Sequence, residues 1–144
     1  MSTPDPRVAD FPVSATDKIR YSDTDRQGHV NNAVFATFFE TGRVEILHDS
    51  RRGLPPDGTE FVIASVHLQF RAEIQWPGGV IIGTRVGRVG RSSVQFEQAL
   101  FQENRCVATA DTTIVLIDQQ SRRSTPFGET TVAALRALQQ IPPS

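Results

Sequence analysis

Between Val62 and Ile74 apolar and polar side chains alternate: Val62, Ala64, Val66, Leu68, Phe70, Ala72 and Ile74 share one parity, and Ile63, Ser65, His67, Gln69, Arg71 and Glu73 the other. A period of two belongs to a pleated strand, and this run predicts a strand well inside a sheet. A shorter alternation upstream sets Val13, Ala15, Ile19 and Tyr21 against Ser14, Thr16, Lys18 and Arg20, and predicts a half-buried first strand. Between these two runs the period lengthens. Phe35, Phe38, Phe39, Gly42 and Ile46 recur at helical spacing, so a long helix with one buried face is expected from about Asn32 to His48. Gly53, Pro55, Pro56 and Gly58 end it.

Downstream, Trp76-Pro77-Gly78-Gly79 turns the chain into a third strand, Val80 to Val89. Gly90 and Arg91 turn it again into a fourth, with Val94, Phe96, Gln98 and Leu100 alternating, and Glu103-Asn104 makes a hairpin into a fifth, Arg105 to Asp118. Thr125-Pro126 precedes a final helix, about Gly128 to Gln140, carrying Val132, Leu135 and Leu138. Residues 1–10, with Pro4, Asp5, Pro6 and Asp10, have little to bury and read as a loose tail. A strand, a long helix and four consecutive strands imply an antiparallel sheet wrapped around the helix, an α+β arrangement. With 144 residues, a single domain over 1–144 is expected.

Composition narrows the partners. Fifteen basic against sixteen acidic residues give a net charge of -1, which supplies no global field for nucleic acid or an anionic membrane. The lone Cys106 excludes an intrachain disulfide and a cysteine-based zinc site. The N-terminal stretch has no apolar core of a signal peptide, and no uncharged apolar run approaches the roughly twenty residues that span a bilayer. A cytoplasmic protein is expected.

Polar residues without an obvious structural job crowd one short stretch. Asp23, Asp25, His29, Asn31 and Asn32 fall within ten positions, with Gly28 among them, immediately before the long helix. Asn31 or Asn32 can cap that helix. A helix start leaves N–H groups unpaired and carries partial positive charge, so it can hold a carbonyl oxygen as negative charge builds on it. Asp25, just upstream, could attack the carbonyl or draw a proton from water. Each of these residues alone is also an ordinary turn or cap residue.

The string Asp23-Thr24-Asp25-x-x-Gly28-His29-Val30-Asn31-Asn32, followed by Phe35, Phe38, Glu40 and Arg43, resembles the hotdog-fold acyl-CoA thioesterases of the 4-hydroxybenzoyl-CoA thioesterase type. The resemblance implies a hotdog fold, about five strands wrapped around a long central helix, and hydrolysis of an acyl-CoA to a carboxylic acid and free coenzyme A with no cofactor or metal. It makes Asp25 the catalytic carboxylate and the Asn32 backbone N–H the group that polarises the thioester carbonyl. His29 would position a water or the carboxylate, and Gly28 and Asn31 would belong to the substrate-binding loop. The string also looks like the plant acyl-carrier-protein thioesterases, whose Asp-x-Asn-x-His becomes Asp25-x-Gln27-x-His29 here. Such proteins join sheets edge to edge, which implies a homodimer with shared sites, with further pairing to a homotetramer open. The odd-numbered side of the second strand, Phe61 and Ile63 beside Ser65, His67 and Gln69, reads as a mixed face suited to a partner.

Other groups have plainer readings. Glu40 rivals Asp25, because a second class of hotdog thioesterases carries its carboxylate on the helix, but a surface pair with Arg43 at i+3 is the simpler role. Glu45-x-x-His48 has the spacing of half a di-iron motif with no second copy, leaving His48 a residue placed against the helix dipole. Arg85, Arg88 and Arg91 lie among glycines in a strand and turn. Arg88 and Arg91 are candidates for the phosphates of coenzyme A, and a solvated edge strand is the alternative. A non-catalytic acyl-CoA-binding module would be expected to lack the carboxylate that Asp25 supplies, and a hotdog dehydratase would carry a different motif.

Overall fold

The computed structural model describes residues 5–139 and arranges them as β1 (Val13–Lys18), α1 (Asn32–Leu47), β2 (Thr59–Phe70), β3 (Gly79–Val89), β4 (Ser93–Gln102), β5 (Arg105–Asp118) and α2 (Glu129–Arg136). The five strands form one antiparallel sheet in the order β1-β3-β4-β5-β2. Helix α1 carries the chain from the β1 edge to the opposite edge, and consecutive hairpins fill the middle. Glu103 and Asn104, both at positive φ (52° and 64°), make the tight β4–β5 turn. This is the α+β hotdog arrangement. The last helix is shorter than expected, and Gln140 lies outside the described residues, as do residues 1–4 of the expected tail.

Phe35, Phe38 and Phe39 of α1 pack on Ile74, Ile82, Leu100, Ala108 and Ala110, while Ile46 and Leu47 join Val86, Phe96, Ile114 and the Leu135 of α2. At Gly42 the helix touches the sheet: a Cβ there would sit 2.7 Å from Ile82 Cγ2 and 2.9 Å from Gln98 Nε2. Gln98 donates to the Phe39 carbonyl and to Thr84 Oγ1, each at 3.0 Å, and accepts from Arg43 Nη1 at 3.3 Å. Arg43 is thus turned inward beneath the helix and is not the surface partner expected for the exposed Glu40. Burial holds its guanidinium below the ordinary value, and the charge of Glu40 opposes that shift.

Three expectations about strands are corrected. The alternation around Val66 places β2 inside a sheet, yet β2 is an edge strand, with β5 its only partner among the described residues. Alternation reports which face is covered and says nothing about how many neighbours a strand has. The β2–β5 register also shifts between Ile63 and Ser65, so Ala64 is an extra residue. This bulge puts Phe61 and Ile63, paired with Leu116 and Ile114, on the helix side together with Val66, Leu68 and Phe70. Ser65, His67 and Gln69 are left on the outer face, so the mixed odd-numbered face does not form. Upstream, β1 stops at Lys18, and Tyr21 opens a 3-10 turn, Tyr21–Asp23, instead of facing the core.

The tail is not loose over its described part. Phe11 is buried against Ala99, Phe101 and Cys106 on the outer face of the sheet. The Arg85 guanidinium lies 4.9 Å from the Phe11 ring centroid and pairs with Glu97 at 2.7 Å, while Asp5 pairs with Arg71 at 2.7 Å. A single buried aromatic ring suffices to pin a segment whose remaining residues are polar. No helix among the described residues is long and apolar enough to cross a membrane.

Candidate active site

The loop between β1 and α1 is built from short-range hydrogen bonds. Asp23 Oδ2 accepts from the Arg20 N–H at 2.8 Å and so closes its own turn. Its carbonyl accepts from the Asn31 N–H at 2.9 Å, tying the loop to the helix start. Asp25 donates its N–H to the His29 carbonyl at 2.8 Å, and its carbonyl accepts from Gly28 at 3.1 Å. Gly28 has φ +83°, a conformation that costs glycine nothing and would strain a side chain. Outside the loop, Val30 donates to the Ile74 carbonyl at 3.0 Å and His29 pairs with Gln75, so the segment after β2 holds the loop in place.

Within this frame the Asp25 carboxylate is exposed, with one oxygen committed. Oδ1 accepts from the Gln27 N–H at 2.9 Å and, less closely, from the His29 N–H at 3.4 Å, and Oδ2 has no protein partner among the described residues. The His29 ring points elsewhere: Nε2 lies 3.1 Å from Glu73 Oε2. His29 therefore reaches Asp25 through its backbone, and its side chain ties the loop to the segment after β2.

Asn31 is the cap, its side chain accepting from the Ala33 N–H at 3.0 Å while its carbonyl accepts from Val34 at 2.9 Å. The N–H just before these, that of Asn32, has no partner among the described residues. A helix start that satisfies its second and third donors and leaves the first open presents one directed donor with the dipole behind it. Asp25, Gly28, Asn31 and Asn32 are all exposed in one chain. Beyond them Phe35 meets Phe70 edge to face, with ring centroids 5.1 Å apart, and opens onto the helix-side face of β2.

Arg88 and Arg91 are not brought to this loop within one chain. The loop sits at the Gly79 end of β3, where Lys18 pairs with Gly79 and Ile19 donates to Gly78. Arg88 is nine residues along, about 30 Å away at the rise of a strand. There it lines a separate cavity of about 330 Å³ with Ser93, Gln95 and Thr113. Arg85 is taken by Glu97. The larger cavity, about 730 Å³, lies on the outer face under the Asp5–Phe11 segment and is lined by the Asp5–Arg71 and Arg85–Glu97 pairs. It is on the opposite side of the sheet from α1 and takes no part in this site. Glu40 lies eight residues past Asn32, about 12 Å down the helix. His48 caps the C-terminus of α1, and no group of three metal-ligating side chains occurs among the described residues.

Glu73, Tyr21 and Trp76 adjoin the loop, and periodicity assigns none of them to the site, since it gives Tyr21 and Glu73 to strands. Glu73 reads as the polar side of a strand, and only its contact with His29 reveals otherwise. The cue for the other two was compositional, since they are the single tyrosine and single tryptophan of the chain.

The comparisons agree with the geometry. The model of the thioesterase-like superfamily matches residues 19–135. The acyl-CoA thioester hydrolase YbgC of Escherichia coli is 24% identical over 123 residues, covering 83% of this chain and 92% of that protein. The structure of the PA5185 protein of Pseudomonas aeruginosa superposes with a TM-score of 0.85 at 30% identity, covering 95% of this chain and 98% of that one. A thioesterase of Thermus thermophilus, solved in complex with coenzyme A and zinc, superposes at 0.78 with 30% identity, covering 90% and 95%. With the match spanning the Asp25 loop, α1 and every strand from β2 to β5, the chain belongs to the thioesterase-like superfamily.

Proposed function

We propose that the protein hydrolyses acyl-CoA thioesters, and that the open N–H of Asn32 beside the Asp25 carboxylate is the machinery. The observation that carries this reading is the helix start, where the Asn31, Ala33 and Val34 N–H groups are bonded and that of Asn32 has no partner among the described residues. A thioester carbonyl placed against that N–H gains stabilisation as its oxygen becomes negative. Asp25 acts through its free Oδ2, as nucleophile on the carbonyl carbon or as base on a water. Either way one water is consumed, the C–S bond breaks, and a carboxylic acid and the coenzyme A thiol are released. The relatives named acyl-CoA thioester hydrolase and the coenzyme A complex of the Thermus thermophilus thioesterase support the coenzyme A thioester as substrate.

The working unit is a homodimer. Asp25 and Asn32 are exposed in one chain, whereas such electrostatic stabilisation needs a site shielded from water. The edge strand β2 is twelve residues long and leaves Ile63, Val66 and Phe70 about half exposed on the helix side. Long apolar edges are normally covered. Two copies joined through β2 would cover this stripe and wall the Asp25 loop.

Thiol release from a panel of acyl-CoAs tests the activity. Turnover of a subset defined by tail size is expected, and no release from any member would defeat the reading. Specific activity should fall on dilution as dimers separate. A fully active monomer in sedimentation would remove the shared site.

A further inference from the structure

Tyr21 and Trp76 are the only tyrosine and the only tryptophan in the chain, and they lie against each other at the rim of the Asp25 loop. Their ring centroids are 5.2 Å apart at 69°. Both are in water: Tyr21 is 74% exposed and Trp76 45%. The backbone explains the meeting. His29 pairs antiparallel with Gln75, which sets Trp76 opposite Gly28, while Tyr21 begins the turn closed by Asp23. Nothing in the core requires this pair, and large apolar side chains left together at a surface mark a contact site.

The charges around the pair indicate its occupant. Lys18, Arg20 and Arg26 flank it in sequence and are exposed, and none meets a carboxylate among the described residues. Of the neighbouring acids, Asp17 is engaged by Thr41, Asp23 by the Arg20 N–H and Glu73 by His29, while Asp25, next to Arg26, keeps the free oxygen assigned to the reaction. On the helix-side face of β2, the half-exposed Phe70, packed edge to face on the buried Phe35, and the half-exposed Val66 offer an apolar surface. A thioester held at Asn32 would therefore have an apolar direction for its acyl tail and an aromatic, cationic direction for its other end.

We infer that the Tyr21–Trp76 pair is the nucleotide subsite, where the adenine of coenzyme A stacks on Trp76 and its phosphates are met by Arg20 and Arg26. This rests on the thioester reading above but concerns binding, so it is testable without turnover. Because Trp76 is the only tryptophan, its fluorescence reports directly on the site. Coenzyme A and adenosine 3′,5′-bisphosphate should each quench it saturably, and pantetheine should not. Arg20→Ala with Arg26→Ala should weaken binding of the bisphosphate about tenfold and flatten its salt dependence. Trp76→Ala should lower the preference for acyl-CoA over the matching acyl-pantetheine by about tenfold, the lower part of what one base–aromatic stack contributes.

Quenching by pantetheine but not by the bisphosphate would overturn the assignment by giving the pair to the acyl-pantetheine arm. A fluorescence change that follows protein concentration and ignores the nucleotide would overturn it in favour of a second copy. Quenching by the bisphosphate in a protein that hydrolyses no acyl-CoA would keep the subsite and remove the catalytic reading. Hydrolysis indifferent to the nucleotide would do the reverse.

Discussion

At its first turn α1 is exposed and under-bonded, with Asn31 spending its side chain on Ala33, the Asn32 N–H without a partner among the described residues, and Asp25 in the loop just upstream with one carboxylate oxygen uncommitted. Two turns later the same helix is sealed: Gly42 lies on Ile82, and Phe39, Arg43 and Thr84 converge on Gln98. One element thus carries two burdens that conflict if placed together. The middle satisfies its polar groups and gains packing energy, and the start keeps a donor unsatisfied where a substrate can use it. Changes at the start should act on rate with little effect on stability, and changes in the middle should do the opposite.

The sharpest break in that division is Asp25→Asn. The amide keeps the shape and the contact to the Gln27 N–H but can neither attack nor take a proton, so kcat should fall by about 10³-fold, roughly 4 kcal/mol of barrier. The melting temperature should move little. A variant that melts normally and still turns over acyl-CoA near the parental rate would transfer the carboxylate role elsewhere.

Gly42→Val is the converse. Its Cβ alone would lie 2.7 Å from Ile82 Cγ2, so the helix must lift from the sheet, at a cost of about 3 kcal/mol. Denaturant unfolding should show the loss, while activity per folded molecule is retained. Equal losses of stability and of kcat would mean that the helix middle sets the position of its start.

Gln98→Leu tests the polar centre of the sealed region. Arg43 would lose its acceptor while remaining buried, and about 2 kcal/mol of stability should go with it. Adding Arg43→Met should recover much of that, because replacing both partners by apolar groups removes the stranded charge. A double-mutant cycle with no coupling would mean that Arg43 finds water instead.

The division was partly legible in the sequence. The helix start is local chemistry, an Asn cap after a Gly turn and before Phe35, Phe38 and Phe39, and the expected span, about Asn32 to His48, differs from the observed helix by one residue at its end. The hairpins were equally local, as the Glu103-Asn104 turn illustrates. Arg43 turns inward against expectation because its partner Gln98 is 55 positions away, whereas Glu40 stands at the i−3 spacing that suggests a surface pair. The bulge at Ala64 was hidden by its surroundings: Phe61, Val62, Ile63 and Ala64 are apolar on both parities, so either register fits until β5 chooses one. Arg88, near the end of an eleven-residue strand, and Arg91, in the turn after it, have the chemistry for a phosphate, but their spacing does not say which end of the strand lies by the Asp25 loop.

The smallest expected effect lies at the boundary between the two roles. Asn31 holds the first turn through Ala33, and Asn31→Ala should cost about 1 kcal/mol of stability, the usual loss of a helix cap. It should also loosen the turn that aims the Asn32 N–H, so kcat should fall several-fold with a smaller change in KM, as expected for a contact made mainly in the transition state. Serine caps almost as well as asparagine, so Asn31→Ser should restore both stability and rate. Restored stability with the rate still low would show that the Asn31 amide contacts the substrate itself, the binding role that the loop's resemblance to other thioesterases implies. Both losses together, and both rescued by serine, would place Asn31 wholly on the structural side, acting on the reaction only by holding its neighbour in line.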